Sequence, residues 1–388
     1  MTNKTSADWD PRAPEVLEDQ IQAYDEMRQR CPVAYSDYLQ WSLFRHEDVM
    51  RVLDDHDTFS NASRHLSIPN AMDPPEHTPY RRIVETYFTA ERIGEFEPVC
   101  RANTEALING LPLDGEVEVM NVLARPFAVR NQCAFMGWPD SLREALREWI
   151  GKNHRATLAG DRQAMAKIAL EFDGYIREQL ILRRDAGDEA PADVTTRLLQ
   201  EEIHGRALSD EEIVSIVRNW TVGELGTISA SVGILVHYLA EHPELQEELR
   251  QGREDLPEAI DEILRIHAPL ISNRRLTTQA VTIGDRELPA GERISLIWAS
   301  ANRDEKVFGD PDEFQPQRNR NRNLLYGAGV HVCPGERLAR LELRLFMEIL
   351  LAGTRHIELV SDKPSPKALY PAGGFSSLHV RVQRPEEE

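Results

Sequence analysis

The longest regular pattern of apolar and polar positions in this chain lies between residues 210 and 241. Ser209 followed by Glu212 makes a capping box, in which each side chain satisfies a backbone N–H at the start of a helix. Apolar Ile213, Val214, Ile216, Val217 and Trp220 follow at helical spacing, and His242-Pro243 closes the run. At 1.5 Å per residue the helix would be about 48 Å long, enough to traverse a domain. Its middle reads Val222-Gly223-Glu224-Leu225-Gly226-Thr227. Glycine inside a helix costs about 1 kcal/mol against alanine, so the pair predicts a kink where something needs room. Residues 280–283, 293–297 and 378–382 read as strands. The Asp-, Gly- and Pro-rich stretch 185–193 reads as a surface connection between helices, and residues 385–388 as a frayed tail. No internal repeat is present.

The sharpest chemical signal is Tyr326-Gly327-Ala328-Gly329-Val330-His331-Val332-Cys333-Pro334-Gly335, followed by the helical run that starts at Glu336. The glycines let the backbone turn tightly and approach something flat. Pro334 and Gly335 open the helix, which puts the Cys333 sulfur beside unpaired N–H groups at its positive end. That setting predicts a lowered thiol pKa. With no second cysteine nearby, Cys333 reads as a single thiolate ligand for a haem iron. The plain alternative is a buried free cysteine in a glycine-rich turn.

This segment resembles the cysteine loop of the cytochrome P450 superfamily, Phe-Gly-x-Gly-x-His-x-Cys-x-Gly, at Gly327, Gly329, His331, Cys333 and Gly335, with Tyr326 in the place of the phenylalanine. Glu262 and Arg265 lie three apart, 71 residues before Cys333, and Arg318 lies between. The resemblance implies that these three form a buried structural cluster beneath the cofactor. It also implies one haem domain over residues 1–388, mainly α with a small β-rich lobe, and margins near 1–20 and 384–388 that are peripheral. Haem b would be ligated by Cys333 in a loop shaped by Gly327 and Gly335. Its propionates would meet His77, Arg81, Arg274 and His331, with Arg275 open as a substitute for Arg274. Thr227 matches the family's proton-relay threonine, but Gly226 stands where the acid is usual. Glu224 is therefore either a displaced acid or a carboxylate within the kink. Family geometry also offers Leu66, Ile68, Asn219, Val222, Gly223, Leu270, Ile271, Ser272 and Phe375 as pocket residues, each also readable as plain core.

Composition narrows the class. A chain of 388 residues that is 41% apolar can bury a large core, though length alone would suggest two or three domains. Net charge −20 argues against nucleic acid. The biased tract 318–323, three arginines alternating with three asparagines, reads as a solvated loop or as a basic docking face for an acidic electron donor. The scattered cysteines 31, 100, 133 and 333 fit a reducing compartment, and with no apolar run of 18 residues the expectation is a cytoplasmic protein without a membrane anchor. The resemblance then implies a monooxygenase acting with O2 on a small to medium hydrophobic molecule, by hydroxylation or dealkylation. Electrons would come from NAD(P)H through a ferredoxin-type donor and its reductase. A peroxide-driven enzyme and a non-catalytic haem sensor are the alternatives.

Overall fold

The computed structural model describes residues 6–384 apart from 64, 113–114, 369 and 371. The predicted tail 385–388 lies outside them. The fold is mostly helical, with a five-stranded sheet and small two- and three-stranded sheets at its margins. The large sheet runs Val33–Ser36, Gln40–Leu43, Arg293–Ile297, Ser272–Thr277, Phe59–Ser60. A parallel pairing sets Ile294 opposite Trp41, and an antiparallel one sets Arg275 opposite Ile294. The expected strands appear as Val281–Ile283, Arg293–Ile297 and His379–Gln383. Residues 9–30, which begin inside the expected peripheral margin, pack well: Trp9 is buried edge-on against Tyr24 and Phe44.

The long helix forms as its pattern requires. Ser209 Oγ accepts from Glu212 N at 3.3 Å, and Glu212 Oε2 accepts from Ser209 N at 2.7 Å. The helix then runs Asp210–Gly223, widens into a π-turn at Glu224–Ile228 and continues as Ser229–Glu241. The kink predicted from the glycines is therefore a π-bulge, a distortion that often marks functional sites. By length and composition this 32-residue helix could cross a membrane, but 67% of its apolar window is buried within the protein, so it serves as the core helix.

The helix Leu256–His267 carries the predicted acid–base pair. Arg265 Nε and Nη2 reach Glu262 at 2.8 and 3.0 Å, with side chains 0% and 2% exposed. Arg265 also donates to the carbonyls of Asn302 (2.7 Å) and Pro311 (3.1 Å), and Glu262 accepts from Gln315 N at 2.9 Å. Arg318 does not join this buried group as expected. Its side chain is 43% exposed, pairs with Glu313 at 3.2 Å and donates to the Phe308 carbonyl at 2.9 Å. It tethers the same loop from outside, because Pro316–Asn319 forms a short helix that turns it to the surface.

These positions predict unequal costs. Arg265→Ala strands the buried Glu262 carboxylate and should lower stability by about 3–5 kcal/mol. Arg318→Ala, at an exposed pair, should cost about 0–1 kcal/mol. Denaturant midpoints of the two variants measure this directly, and equal shifts would mean that the buried pair is not the anchor.

Candidate active site

Cys333 lies between a short 3-10 turn, Gly329–His331, and the helix Glu336–Gly353. The loop closes on itself through Cys333 N to Tyr326 O at 2.9 Å and Gly327 N to Leu324 O at 2.9 Å. Gly329 is required by both conformation and space. Its φ is +70°, and a Cβ there would lie 2.4 Å from the Leu53 carbonyl oxygen. Gly327 shares the left-handed conformation, at φ +71°. Gly335 does not, and a Cβ there would meet Phe88 and the Cys333 sulfur at ordinary contact distance, 3.8 and 3.9 Å. Arg81 Nη1 donates to the Val332 carbonyl at 2.6 Å, clamping the residue before the cysteine from the helix His77–Glu85. Tyr326 stacks beneath the Arg340 guanidinium at 4.9 Å, so the aromatic position is filled by packing.

The sulfur faces a cavity of about 540 Å³ that is also lined by Arg81, Arg274, Arg275, His331, Gly327 and Gly335. Burial pushes the Cys333 thiol above its usual range, and the Gly335 N–H only partly pulls it back. The lowered thiol pKa expected from the helix terminus is thus not found, because desolvation outweighs the dipole in a buried site. A cation at the sulfur would reverse that balance.

His331 in the cavity wall and His77 packed against it carry buried ring nitrogens without partners. His77 and His331 pack edge to face at 4.5 Å, and Nε2 of each is buried with no hydrogen-bond partner among the described residues. Burial and neighbouring cations hold both rings neutral, His331 at about 3. Arg275 is buried, its pKa pulled to about 10 by desolvation, while Arg274 lines the cavity with an exposed side chain. Of the two adjacent arginines on the strand Ser272–Thr277, both of which line the cavity, Arg275 is the buried one and Arg274 the exposed one. A group with two carboxylates fits here. It would supply the acceptors that His77 and His331 lack, and further ones for Arg275, which donates through Nη1 to the Arg274 carbonyl at 2.8 Å.

The π-turn supplies the opposite wall. Glu224 and Thr227 both line the cavity, and Thr227 Oγ1 donates to the Gly223 carbonyl at 2.7 Å. Burial raises the Glu224 carboxyl to about 7, offset in part by a hydrogen bond with Glu342. Asn219, Val222, Gly223 and Leu270 line the cavity as expected. Five expected pocket residues do not. Leu66 is 50% exposed, with its carbonyl accepting from Arg218 at 3.0 Å. Ile68 is buried, held by Ser215 and Asn219 through its backbone. Ile271 belongs to the N-terminal core cluster, and the Ser272 hydroxyl bonds Tyr370 at 2.8 Å. Phe375 stacks on His237 at 4.3 Å. Sequence reasoning missed the Gln132 amide, Trp220 and Asn70 in the wall, and it missed Glu342. Trp220 was readable, since it sits one turn before Glu224 in the same helix.

Comparison with known proteins bears on the family and the fold. The family model "Cytochrome P450" matches residues 141–368. Cyclomarin C epoxidase CymV of Salinispora arenicola is 32% identical over 357 residues, covering 86% of this chain and 88% of that protein. Erythromycin C-12 hydroxylase of Saccharopolyspora erythraea is 32% identical over 343 residues, covering 84% and 85%. The solved structure of open cytochrome P450 EryK from S. erythraea superposes with a TM-score of 0.86 at 28% identity, covering 95% and 97%.

The two glycines flanking the cysteine should respond differently to alanine. Gly329→Ala forces a Cβ into the Leu53 carbonyl at a positive φ, and should cost more than about 1–3 kcal/mol. Gly335→Ala should cost well under that, since its neighbours are at contact distance. Thermal unfolding of both variants tests the difference, and a harmless Gly329→Ala would show the loop free to move.

Proposed function

The chain belongs to the cytochrome P450 family, and from that premise we propose how its residues divide the work of a haem-thiolate monooxygenase. Enzymes of this family are oxidoreductases that use O2, an organic substrate and electrons from partner proteins. The observation that carries the reading is the convergence on one cavity of the thiol of Cys333, the partnerless Nε2 of His331 and a buried arginine, with the partnerless His77 packed against His331.

Haem b fits these groups. Cys333 would hold the iron, and His77, His331 and Arg275 would bind the propionates, with Arg274 at the rim. Among the described residues Cys333 is the one cysteine that lines the cavity, and its thiol would be the protein's contribution to the iron. Haem, when bound, supplies the centre at which dioxygen is reduced, one oxygen atom going to substrate and the other to water. The protein's part is to hold, orient and protonate. Gly327 and Gly329 turn the loop, and Gly335 starts the helix behind the sulfur without crowding it. Arg81 fixes the Val332 carbonyl and so the height of the sulfur in the loop.

At the π-turn, Thr227 keeps its hydroxyl on the Gly223 carbonyl and can pass a proton on when that bond is exchanged. Glu224 takes the part of the acid that Gly226 cannot supply. A carboxyl near pH 7 is suited to giving and taking protons at neutral pH.

The substrate is a small to medium hydrophobic molecule. Leu270, Val222 and Trp220 offer apolar surface, and the amides of Asn219 and Gln132 a few polar contacts. Oxygen insertion by hydroxylation or dealkylation is the proposed outcome. The redox donor is a ferredoxin-type protein reduced from NAD(P)H in the cytoplasm. The basic tract near the cysteine loop supports docking of an acidic partner, although Arg320 and Arg318 are partly neutralised by Glu258 and Glu313.

Two measurements test this reading. Turnover should require a ferredoxin and its reductase, and hydrogen peroxide alone should support it poorly. Efficient peroxide-driven turnover with no gain from any redox partner would make the protein a peroxygenase. Loss of one charge-assisted bond to a propionate should speed haem transfer to an acceptor protein by roughly 10–100-fold. Arg275→Leu should show that loss and Arg274→Leu much less. The reverse order would return the role to Arg274.

A further inference from the structure

The helix that follows Cys333 carries a second buried acid. Glu342 is 0% exposed on the apolar face of Glu336–Gly353, beside Leu338, Leu341 and Leu345. That helix packs against the π-turn, and the carboxyls of Glu342 and Glu224 interact there. Both Glu342 carboxyl oxygens and Glu224 Oε1 are buried without a hydrogen-bond donor from any other described residue. The other ionisable groups around the pair are the thiol of Cys100, on the helix Ala90–Asn109, and that of Cys333 across the cavity. Neither is a cation. The Cys100 sulfur is itself occupied by the Asn131 amide, which donates to it at 3.4 Å.

Two carboxylates in contact and away from water cannot both carry charge, so the pair must keep at least one proton. Burial and the neighbouring Glu224 push Glu342 far above the carboxylate range, whereas Glu224, which lines the cavity, stays near neutrality. The protonated partner is therefore the one sealed behind the long helix. A neutral carboxylic acid has one O–H to donate, and the acceptor recorded beside it among the described residues is the Glu224 carboxylate.

We propose that Glu342 is a positioning residue: as a neutral acid it donates its O–H to Glu224 and thereby keeps Glu224 the side chain of this cavity that takes up and releases a proton. The proposal rests on the reading of Glu224 given above and adds a second residue to it. In each cycle a proton leaves the Glu224 carboxyl for an acceptor in the cavity, and the carboxylate left behind accepts the Glu342 O–H more strongly. A proton from water then restores Glu224, and Glu342 keeps its own throughout. Without that donor the Glu224 carboxylate would be stranded by burial, its pKa would rise, and the proton would be held too tightly to leave.

Infrared difference spectroscopy of the resting holoenzyme in H2O and D2O, taken across pH, reads both carboxyls without turnover. Wild type should show one protonated-carboxyl band that persists across the neutral range and a second that titrates near pH 7 and is absent in Glu224→Gln. In Glu342→Gln the persistent band should vanish while the titration stays in place, because the amide N–H replaces the O–H donor. In Glu342→Leu the persistent band should also vanish, and the titration should move upward by roughly 1–2 pH units, the worth of one hydrogen bond to a charged group. The glutamine variant carries the test by itself if the leucine variant does not bind haem. A wild type without the persistent band, or a band that survives in Glu342→Gln, overturns the proposal, as does an unmoved titration in Glu342→Leu. Coupling of NAD(P)H use to product, measured across pH in the same variants, separates the two readings. If the bands behave as stated but coupling ignores the titration, the dyad stands and the assignment of proton delivery to Glu224 falls.

Discussion

The guanidinium of Arg265, with no solvent exposure, is the point from which the rest of the site is hung. It spends two N–H groups on Glu262 and two more on the carbonyls of Asn302 and Pro311, with its face 4.8 Å over the Phe308 ring. Asn302 passes the constraint on. Its side-chain oxygen accepts from Leu324 N at 2.7 Å, and the Leu324 carbonyl accepts from Gly327 N at the start of the cysteine loop. A buried charge pair is weak evidence for net stability, since desolvating both charges offsets much of their attraction. Its value here is directional: a chain of hydrogen bonds runs from one buried ion to the backbone that presents Cys333.

The cavity divides into two chemistries because two elements wall it. The cysteine loop and the strand Ser272–Thr277 bring His331 and Arg275 to the cavity wall, with His77 packed against His331 from the helix His77–Glu85. The π-turn brings carboxyl and hydroxyl groups to the opposite wall. A regular helix would carry Glu224 and Thr227 on a closed hydrogen-bond ladder. The π-turn interrupts that ladder, and Thr227, in the cavity wall, donates its hydroxyl to the Gly223 carbonyl. The helix Glu336–Gly353 joins the two ends, since it begins behind the sulfur of Cys333 and carries Glu342 to the back of the π-turn.

Much of this was legible from residue order. Glycine and proline spacing gave the cysteine loop, and the capping box at Ser209 gave the start of the long helix, because both are local constraints of backbone geometry. The buried pair of Glu262 and Arg265 was also legible, as a helical spacing. What failed depended on the direction of a side chain in three dimensions. Adjacent Arg274 and Arg275 are alike in sequence, and only the strand's pairing register buries Arg275. Ile68, Ser272 and Phe375 lie on loops or strand ends whose side chains follow distant partners such as Tyr370 and His237. Arg318 was displaced to the surface by a short helix that the sequence did not announce. Glu342 left one trace that could have been read: a single acid between leucines on the apolar face of a helix is costly to bury without a reason.

The central claim is that Cys333 is the one protein ligand of the haem iron, and the absorption of the reduced, carbon monoxide-bound holoprotein tests it most directly. Ligation by Cys333 predicts the strongly red-shifted band of a thiolate-bound haem in the wild type, and its replacement by the band of a nitrogen-ligated haem in Cys333→His. A wild type that lacks the red-shifted band at neutral pH, or a Cys333→His variant that keeps it, would contradict the account.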